Sequence, residues 1–206
     1  MRRNKMTGLE EKTERSYRAF ISYSHKDKIQ VKGLQKRLET YRIPRKFRHH
    51  ADTAEKHVYP VFRDDTDLTG VVLMDSIRKA LDHSEFLIVI CTPNSASSGY
   101  VNAEVDYFVQ SGKADHIIPV VLHSQSPYEL QTAACFPPRL IAAGIRPQEA
   151  VVYGRSGRRW AIYRLMYRLL GLKDGSQLEE YIDKRITRRF IGCVLAFPII
   201  FSCCCL

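Results

Sequence analysis

The residue with the clearest chemical use is Glu104. It lies in a stretch, Tyr100–Gln110, that reads as a helix, because Val101, Val105 and Phe108 recur at i, i+4 and i+7 and form one apolar stripe. Glu104 stands four residues after Tyr100 and four before Phe108. It therefore sits at the edge of the stripe, near the helix start, where a carboxylate is partly shielded from water and can hold its charge against a ligand. Most helical glutamates are simply solvated, since Glu is seldom buried, so position alone leaves both readings open. Ser95, Ser97 and Ser98 precede the helix, but no Gly-x-Ser-x-Gly elbow surrounds them, and a loop or cap role is expected. His49, His50 and His57 share a basic loop without Cys or carboxylate partners at zinc spacing, so no metal is expected. No Gly-x-Gly-x-x-Gly follows a strand, and hydride chemistry is not suggested.

The elements that must position Glu104 alternate in type. Tyr17–Ser22 is a short apolar run and a first strand. Ile29–Tyr41 reads as a helix with Ile29, Leu34, Leu38 and Tyr41 on its inner side, ended by Pro44. Val58–Phe62 is a second strand, and Pro60 within it predicts an edge position, because proline cannot donate a ladder hydrogen bond. Val71–His83 is helical, with Val72, Ile77, Ala80 and Leu81 inward. Glu85–Cys91 is the strongest strand; its continuous apolar run predicts burial on both faces and a parallel sheet covered by helices. Thr92–Gly99 reads as a polar loop, Ile117–Leu122 as a fourth strand, Val151–Tyr153 as a short fifth and Trp160–Leu170 as an amphipathic helix. This alternation predicts a doubly wound, flavodoxin-like α/β fold, a mostly five-stranded parallel sheet with helices on both faces. Ligands in such sheets sit beyond the carboxyl ends of the strands at a topological switch point. The loops there are Ser22–Asp27, Arg63–Gly70 and Thr92–Gly99.

Composition bounds the rest. The chain has 206 residues, 45% hydrophobic and 26% charged, which suits one domain with an appendage. The net charge of +10 is scattered over Arg2–Lys5, Arg42–Arg48, Arg155–Arg168 and Lys184–Arg189. No helix or strand carries a long basic stripe with interleaved aromatics, so no nucleic-acid partner is expected. Cys91 and Cys135 lie inside the domain, and Cys193, Cys203, Cys204 and Cys205 lie in the apolar tail. This is not a secreted disulfide framework, and a reducing compartment fits. The first thirty residues hold no apolar h-region, so no secretory signal is expected.

Several short motifs, in order, resemble the Toll/interleukin-1 receptor (TIR) domain family, over roughly Ser16 to Leu170. Phe20-Ile21-Ser22-Tyr23-Ser24 with Asp27 is similar to the family's first box. Val61-Phe62-Arg63-Asp64, then Asp67-Leu68 and Gly70, is similar to the second strand and its loop. Leu87–Cys91, then Ser95 to Glu104, is similar to the third strand and catalytic helix, where the family has a serine, one residue, a tryptophan, then a glutamate four residues on. Here that run is Ser98-Gly99-Tyr100-Val101-Asn102-Ala103-Glu104. Tyr100 replaces the tryptophan and still offers a ring for stacking. Thr69-Gly70 stands where a proline-containing loop is common. Tyr41-Arg42-Ile43-Pro44 and Phe136-Pro137-Pro138-Arg139-Leu140 are closest to bacterial members.

The resemblance implies a signalling protein, in bacteria one of defence, and an NAD+ nucleosidase that splits the nicotinamide–ribose bond on self-association. The product would be ADP-ribose or a cyclic variant, with NAD+ as substrate and no cofactor. Glu104 would be the catalytic carboxylate. Phe20 would pack on the nicotinamide or ribose, and Ser22, Arg63, Ser98 and Tyr100 would line the site, with Arg63 meeting a phosphate or pairing with Asp64 or Asp65. The alternative is a non-catalytic TIR scaffold that joins other TIR domains.

The domain layout expected is a flexible N-terminus over 1–15, a TIR domain over 16–172, a basic linker or helix over 173–189 and a transmembrane segment over 190–206. Phe190–Leu206 holds no charged residue over 17 positions. A helix of that length spans about 25 Å, a little short of a hydrocarbon core of about 30 Å. Lys184, Arg185, Arg188 and Arg189 stand just before it, which marks the cytoplasmic side. The expectation is a membrane-anchored protein with its TIR domain in the cytoplasm. Cys203-Cys204-Cys205-Leu206 also has the shape of a lipidation box.

Overall fold

The structure is a computed structural model that describes residues 17–51, 57–58, 60–63, 71–122, 133–154, 157–172, 180 and 184. Residues 190–206, nearly all of 173–189, residues 1–15 and residues 64–70 with Asp64, Asp65 and Asp67 lie outside the described residues, as do the expectations placed on them.

Five strands form one parallel sheet in the order β2-β1-β3-β4-β5. They are β1 (Tyr17–Ser22), β2 (Val61–Arg63), β3 (Ser84–Cys91), β4 (Ile117–Leu122) and β5 (Val151–Tyr153). The helices are α1 (Lys28–Thr40), α2 (Val71–Asp82), α3 (Pro93–Ala96), α4 (Gly99–Gln110), α5 (Pro138–Ala142) and α6 (Arg158–Leu169). The chain passes from β1 outward to β2, then back across β1 to β3, so the switch point lies between β1 and β3. The expected doubly wound α/β architecture is what the chain adopts.

Strand alternation divides the core in two. Ala19, Ile21, Phe86, Ile88, Ile90, Ile118 and Val120 point to one face and pack under α1 and α6. Phe20, Leu87, Val89, Cys91, Ile117 and Val121 point to the other and pack under α2, α4 and α5. Residues 86 to 91 of β3 are all buried, as a strand covered on both faces must be. Arg18 ties sheet to helix by donating from Nε to the carbonyl of Leu169 at 2.7 Å, satisfying the C-terminal turn of α6.

Three expectations need correction, and one helix is an addition. Ile29 is 89% exposed, and the buried residues of α1 are Val31, Leu34 and Leu38. At 100° per residue, Ile29 lies too far round the helix from that stripe. The second strand starts three residues later than expected, at Val61. Pro60 stands just outside it and accepts from the Arg18 N–H at 3.0 Å, which still leaves β2 at the sheet edge. Thr92–Gly99 is not a plain loop, because Pro93–Ala96 forms a helical turn with Thr92 as its N-cap. Its signal was readable: a threonine followed by proline at the first helical position. Finally, Pro138–Ala142 is a short helix that the sequence pattern had not suggested.

Candidate active site

The site is built on the ends of β1 and β3. Ser22 closes β1, and alternation from Phe20 turns its side chain toward the α2/α4 face. There Ser22 Oγ donates to Glu104 Oε2 at 2.5 Å, joining residues 82 apart in sequence. Ser22 is 1% exposed, so the hydroxyl has little competition from water. Glu104 is half-buried on α4 and reaches inward because Val101, Val105 and Phe108 clamp the helix against the sheet.

The start of α4 is fixed by a polar frame. Ser98 is its N-cap and accepts from the Val101 N–H at 3.4 Å. Asn102 donates to the Ser98 carbonyl at 2.8 Å and to the Ala96 carbonyl at 3.3 Å, and its Oδ1 accepts from the Arg139 N–H at 3.2 Å. One turn earlier, Thr92 Oγ1 accepts from the Ser95 N–H at 3.1 Å. Ser95 Oγ in turn accepts from the Ser24 N–H at 3.3 Å, across 71 residues. Asp27, buried in the turn after β1, accepts from Thr92 Oγ1 at 2.6 Å and Asn94 Nδ2 at 3.0 Å. Asp27 belongs to the first box, and this role comes from partners 65 and 67 residues away that its own segment does not announce. The two loops that flank the switch point are thus pinned to each other, and the buried Asp27–Thr92 and Ser24–Ser95 bonds are costly to remove.

A shallow cleft, open to solvent, lies between α2 and α4. Tyr100, Ala103, Glu104 and Tyr107 line its α4 side, and Ile77, Arg78 and Leu81 its α2 side. Tyr100, 60% exposed, stands one helical turn before Glu104 with its ring available to a ligand. Tyr107 donates from its hydroxyl to Asp82 Oδ1 at 2.8 Å, and that bond to a carboxylate raises its pKa above the ordinary phenol value.

The structure therefore brings Ser22, Tyr100 and Glu104 together, with Ser98 capping the helix that carries two of them. Two expected site residues lie elsewhere. Phe20 is 0% exposed and stacks on Phe62 with centroids 5.1 Å apart, as part of the core rather than the cleft wall. It carries an apolar ring on a central strand, and the hydrophobic effect takes it inside. Arg63 pairs in register with Ile21, on the α1/α6 side, and its guanidinium lies 6.0 Å from the Tyr23 ring centroid. Strand alternation sends it to the opposite face from Ser22 and Glu104. His57 faces the Tyr41 carbonyl at 3.2 Å through Nδ1. The side chains of His49 and His50 lie outside the described residues.

A parallel sheet in this order, with a serine-held glutamate at its switch point, defines a class of doubly wound α/β domain. Residues 19–142 match the TIR domain family, and the chain belongs to it. It is 33% identical over 133 residues to an NAD(+) hydrolase, ApTIR, from an Actinoplanes species. That match takes in 60% of this chain but 17% of the relative, so the chain spans about a sixth of the relative's length. A solved structure of TIR domains, in the activated Roq1 resistosome that directly recognizes the pathogen effector XopQ, aligns over 83% of this chain and 99% of its own at 18% identity, with a TM-score of 0.39.

Proposed function

We propose that this TIR domain hydrolyses NAD+ at the nicotinamide–ribose bond, with Glu104 as its catalytic carboxylate. The observation that carries the reading is the Ser22–Glu104 hydrogen bond at the β1/β3 switch point, beside the exposed Tyr100 ring. The identity to a TIR protein named as an NAD(+) hydrolase supports it.

The chemistry needs one acidic group. When the glycosidic C–N bond breaks, its electron pair goes to the pyridinium nitrogen, and nicotinamide leaves neutral. No acid is required to protonate the leaving group, unlike the two-carboxylate arrangement for sugar leaving groups. Positive charge develops on the ribose ring, and the Glu104 carboxylate stabilises it. Ser22 holds that carboxylate in one orientation, so little reorganisation is needed at the transition state. Tyr100 offers a face to the planar nicotinamide. Water, or the adenine ring in a cyclising variant, then attacks the anomeric carbon, and the water's proton passes to solvent. No cofactor takes part, and NAD+ is the substrate.

The test is NAD+ consumption by purified protein beside Glu104→Gln. The reading expects turnover in the wild type and loss of about 100-fold or more in the variant, the scale on which a key electrostatic group acts.

Self-association with other TIR domains belongs to the same reading. Ile29, Val152 and Trp160 are large hydrophobic side chains left exposed, which suits contact with a second copy. A scaffold role without catalysis would use the same surfaces and would not need Glu104. Anchoring to the membrane with the TIR domain in the cytoplasm rests on the apolar run at 190–206 and the basic residues before it. Among the described residues no helix is long and apolar enough to cross a membrane, and the tail lies outside them.

A further inference from the structure

The cleft beside Glu104 contains a cation that no sequence motif singled out. Ile77 and Leu81 on α2 are buried and give the cleft an apolar floor. Arg78, next to Ile77 on the helix, is exposed at its rim, across from Tyr100 and Glu104. Its neighbour across the cleft, Tyr107, has its hydroxyl engaged with Asp82. Among the described residues Arg78 makes no ion pair. Arg63, the other candidate for an anionic group, lies on the opposite side of the sheet over Tyr23.

A dinucleotide brings two phosphate charges to any site that accepts it. A carboxylate at Glu104 would repel those charges unless a cation offset them. A guanidinium is suited to the task, because its planar fork can donate two parallel hydrogen bonds to phosphate oxygens and stays protonated. Its long, exposed side chain can reach across the rim without disturbing the core.

We propose that Arg78 is the anion-reading residue of this cleft, receiving the diphosphate of a nucleotide ligand whose ribose lies at Glu104. The inference rests on the reading of Glu104 as the group that faces the ribose. It goes beyond that reading by assigning substrate specificity to α2.

The experiment uses the full chain carrying Glu104→Gln, so that ligand binds without turnover, with and without Arg78→Gln and Arg78→Lys. ADP-ribose, which has the diphosphate, and nicotinamide riboside, which has no phosphate, are titrated by calorimetry. Arg78→Gln is expected to weaken ADP-ribose by about tenfold, the scale of a lost charge-assisted hydrogen bond, with nicotinamide riboside shifted less than about twofold. Arg78→Lys should recover part of the loss. With Glu104 intact, the Arg78→Gln loss should fall in KM for NAD+ rather than in kcat. Equal ADP-ribose affinity with and without Arg78, equal weakening of both ligands, or no ADP-ribose binding by the parent would each overturn the proposal, even if the wild type consumes NAD+. If instead ADP-ribose binding depends on Arg78 but NAD+ is never cleaved, the enzyme reading fails and the anion site stands.

Discussion

At the residue scale, Ser22 offers the cleanest probe of how Glu104 is held. Its hydroxyl is buried and donates to the carboxylate, so Ser22→Ala removes one donor and little volume. Hydrogen bonds to charged groups are worth about 1.5–3 kcal/mol, so kcat for NAD+ should fall between about tenfold and 100-fold. The thermal midpoint should move by only a few degrees, as scanning calorimetry would show; a wild-type kcat would mean that Ser22 does not orient Glu104. Cys91 gives a second prediction. Burial pushes its thiol pKa well above the ordinary value, so the thiolate that reacts with disulfide reagents is scarce at neutral pH. Cys91 should stay unlabelled in the native protein and label on unfolding, as mass spectrometry would report. The sign of its pH effect follows: a raised folded pKa keeps the thiol's contribution to stability intact below the ordinary thiol pKa, and that contribution is lost as pH rises past it. Glu104 drew attention through the run Ser98 to Glu104, which resembles the TIR glutamate box, since its place beside an apolar stripe left both readings open. Arg78 was not, because an arginine on an amphipathic helix looks like any solvated residue until the cleft it rims is visible. Nor could Phe20 be read as core, since a motif names a residue type without saying which way the strand turns it.

At the element scale, α1 separates what periodicity can and cannot show. Leu34 is buried in the α1/α6 core and Ile29 is not. Leu34→Ala should cost about 2–5 kcal/mol of unfolding free energy, whereas Ile29→Ser should stay within about 0.5 kcal/mol. Urea denaturation of both variants checks this, and equal losses would contradict the assigned face. Strands β1, β4 and β5 were legible to the residue, because short apolar runs bounded by polar residues leave little choice of boundary. Helix faces were less so. A stripe can be drawn through Ile29 or through Val31, and packing against α6 and the sheet decides between them. The Asp27–Thr92 and Ser24–Ser95 bonds were hidden for another reason. They join segments about 70 residues apart, and no local pattern reports such pairing.

At the scale of the whole molecule, alternation of strand and helix gave the doubly wound sheet, and the β1/β3 switch point is where the candidate site lies. Assembly is the property that belongs to this scale. Ile29 and Trp160 lie exposed on the α1/α6 side, across the sheet from Glu104. If copies associate through that side to switch on the proposed activity, the specific rate of NAD+ consumption should rise with protein concentration. The double variant Ile29→Asp, Trp160→Ser should flatten that rise and keep the protein monomeric in light scattering. A specific rate independent of concentration, with wild type and variant alike, would remove assembly through this surface from the account. The central claim is that Glu104 performs the chemistry, and the most direct measurement is release of nicotinamide from NAD+ by concentrated wild-type protein and by Glu104→Gln at matched thermal stability. Release by the wild type, with a loss of about 100-fold or more in the variant, is the predicted result; equal release by both, or none by either, would contradict it.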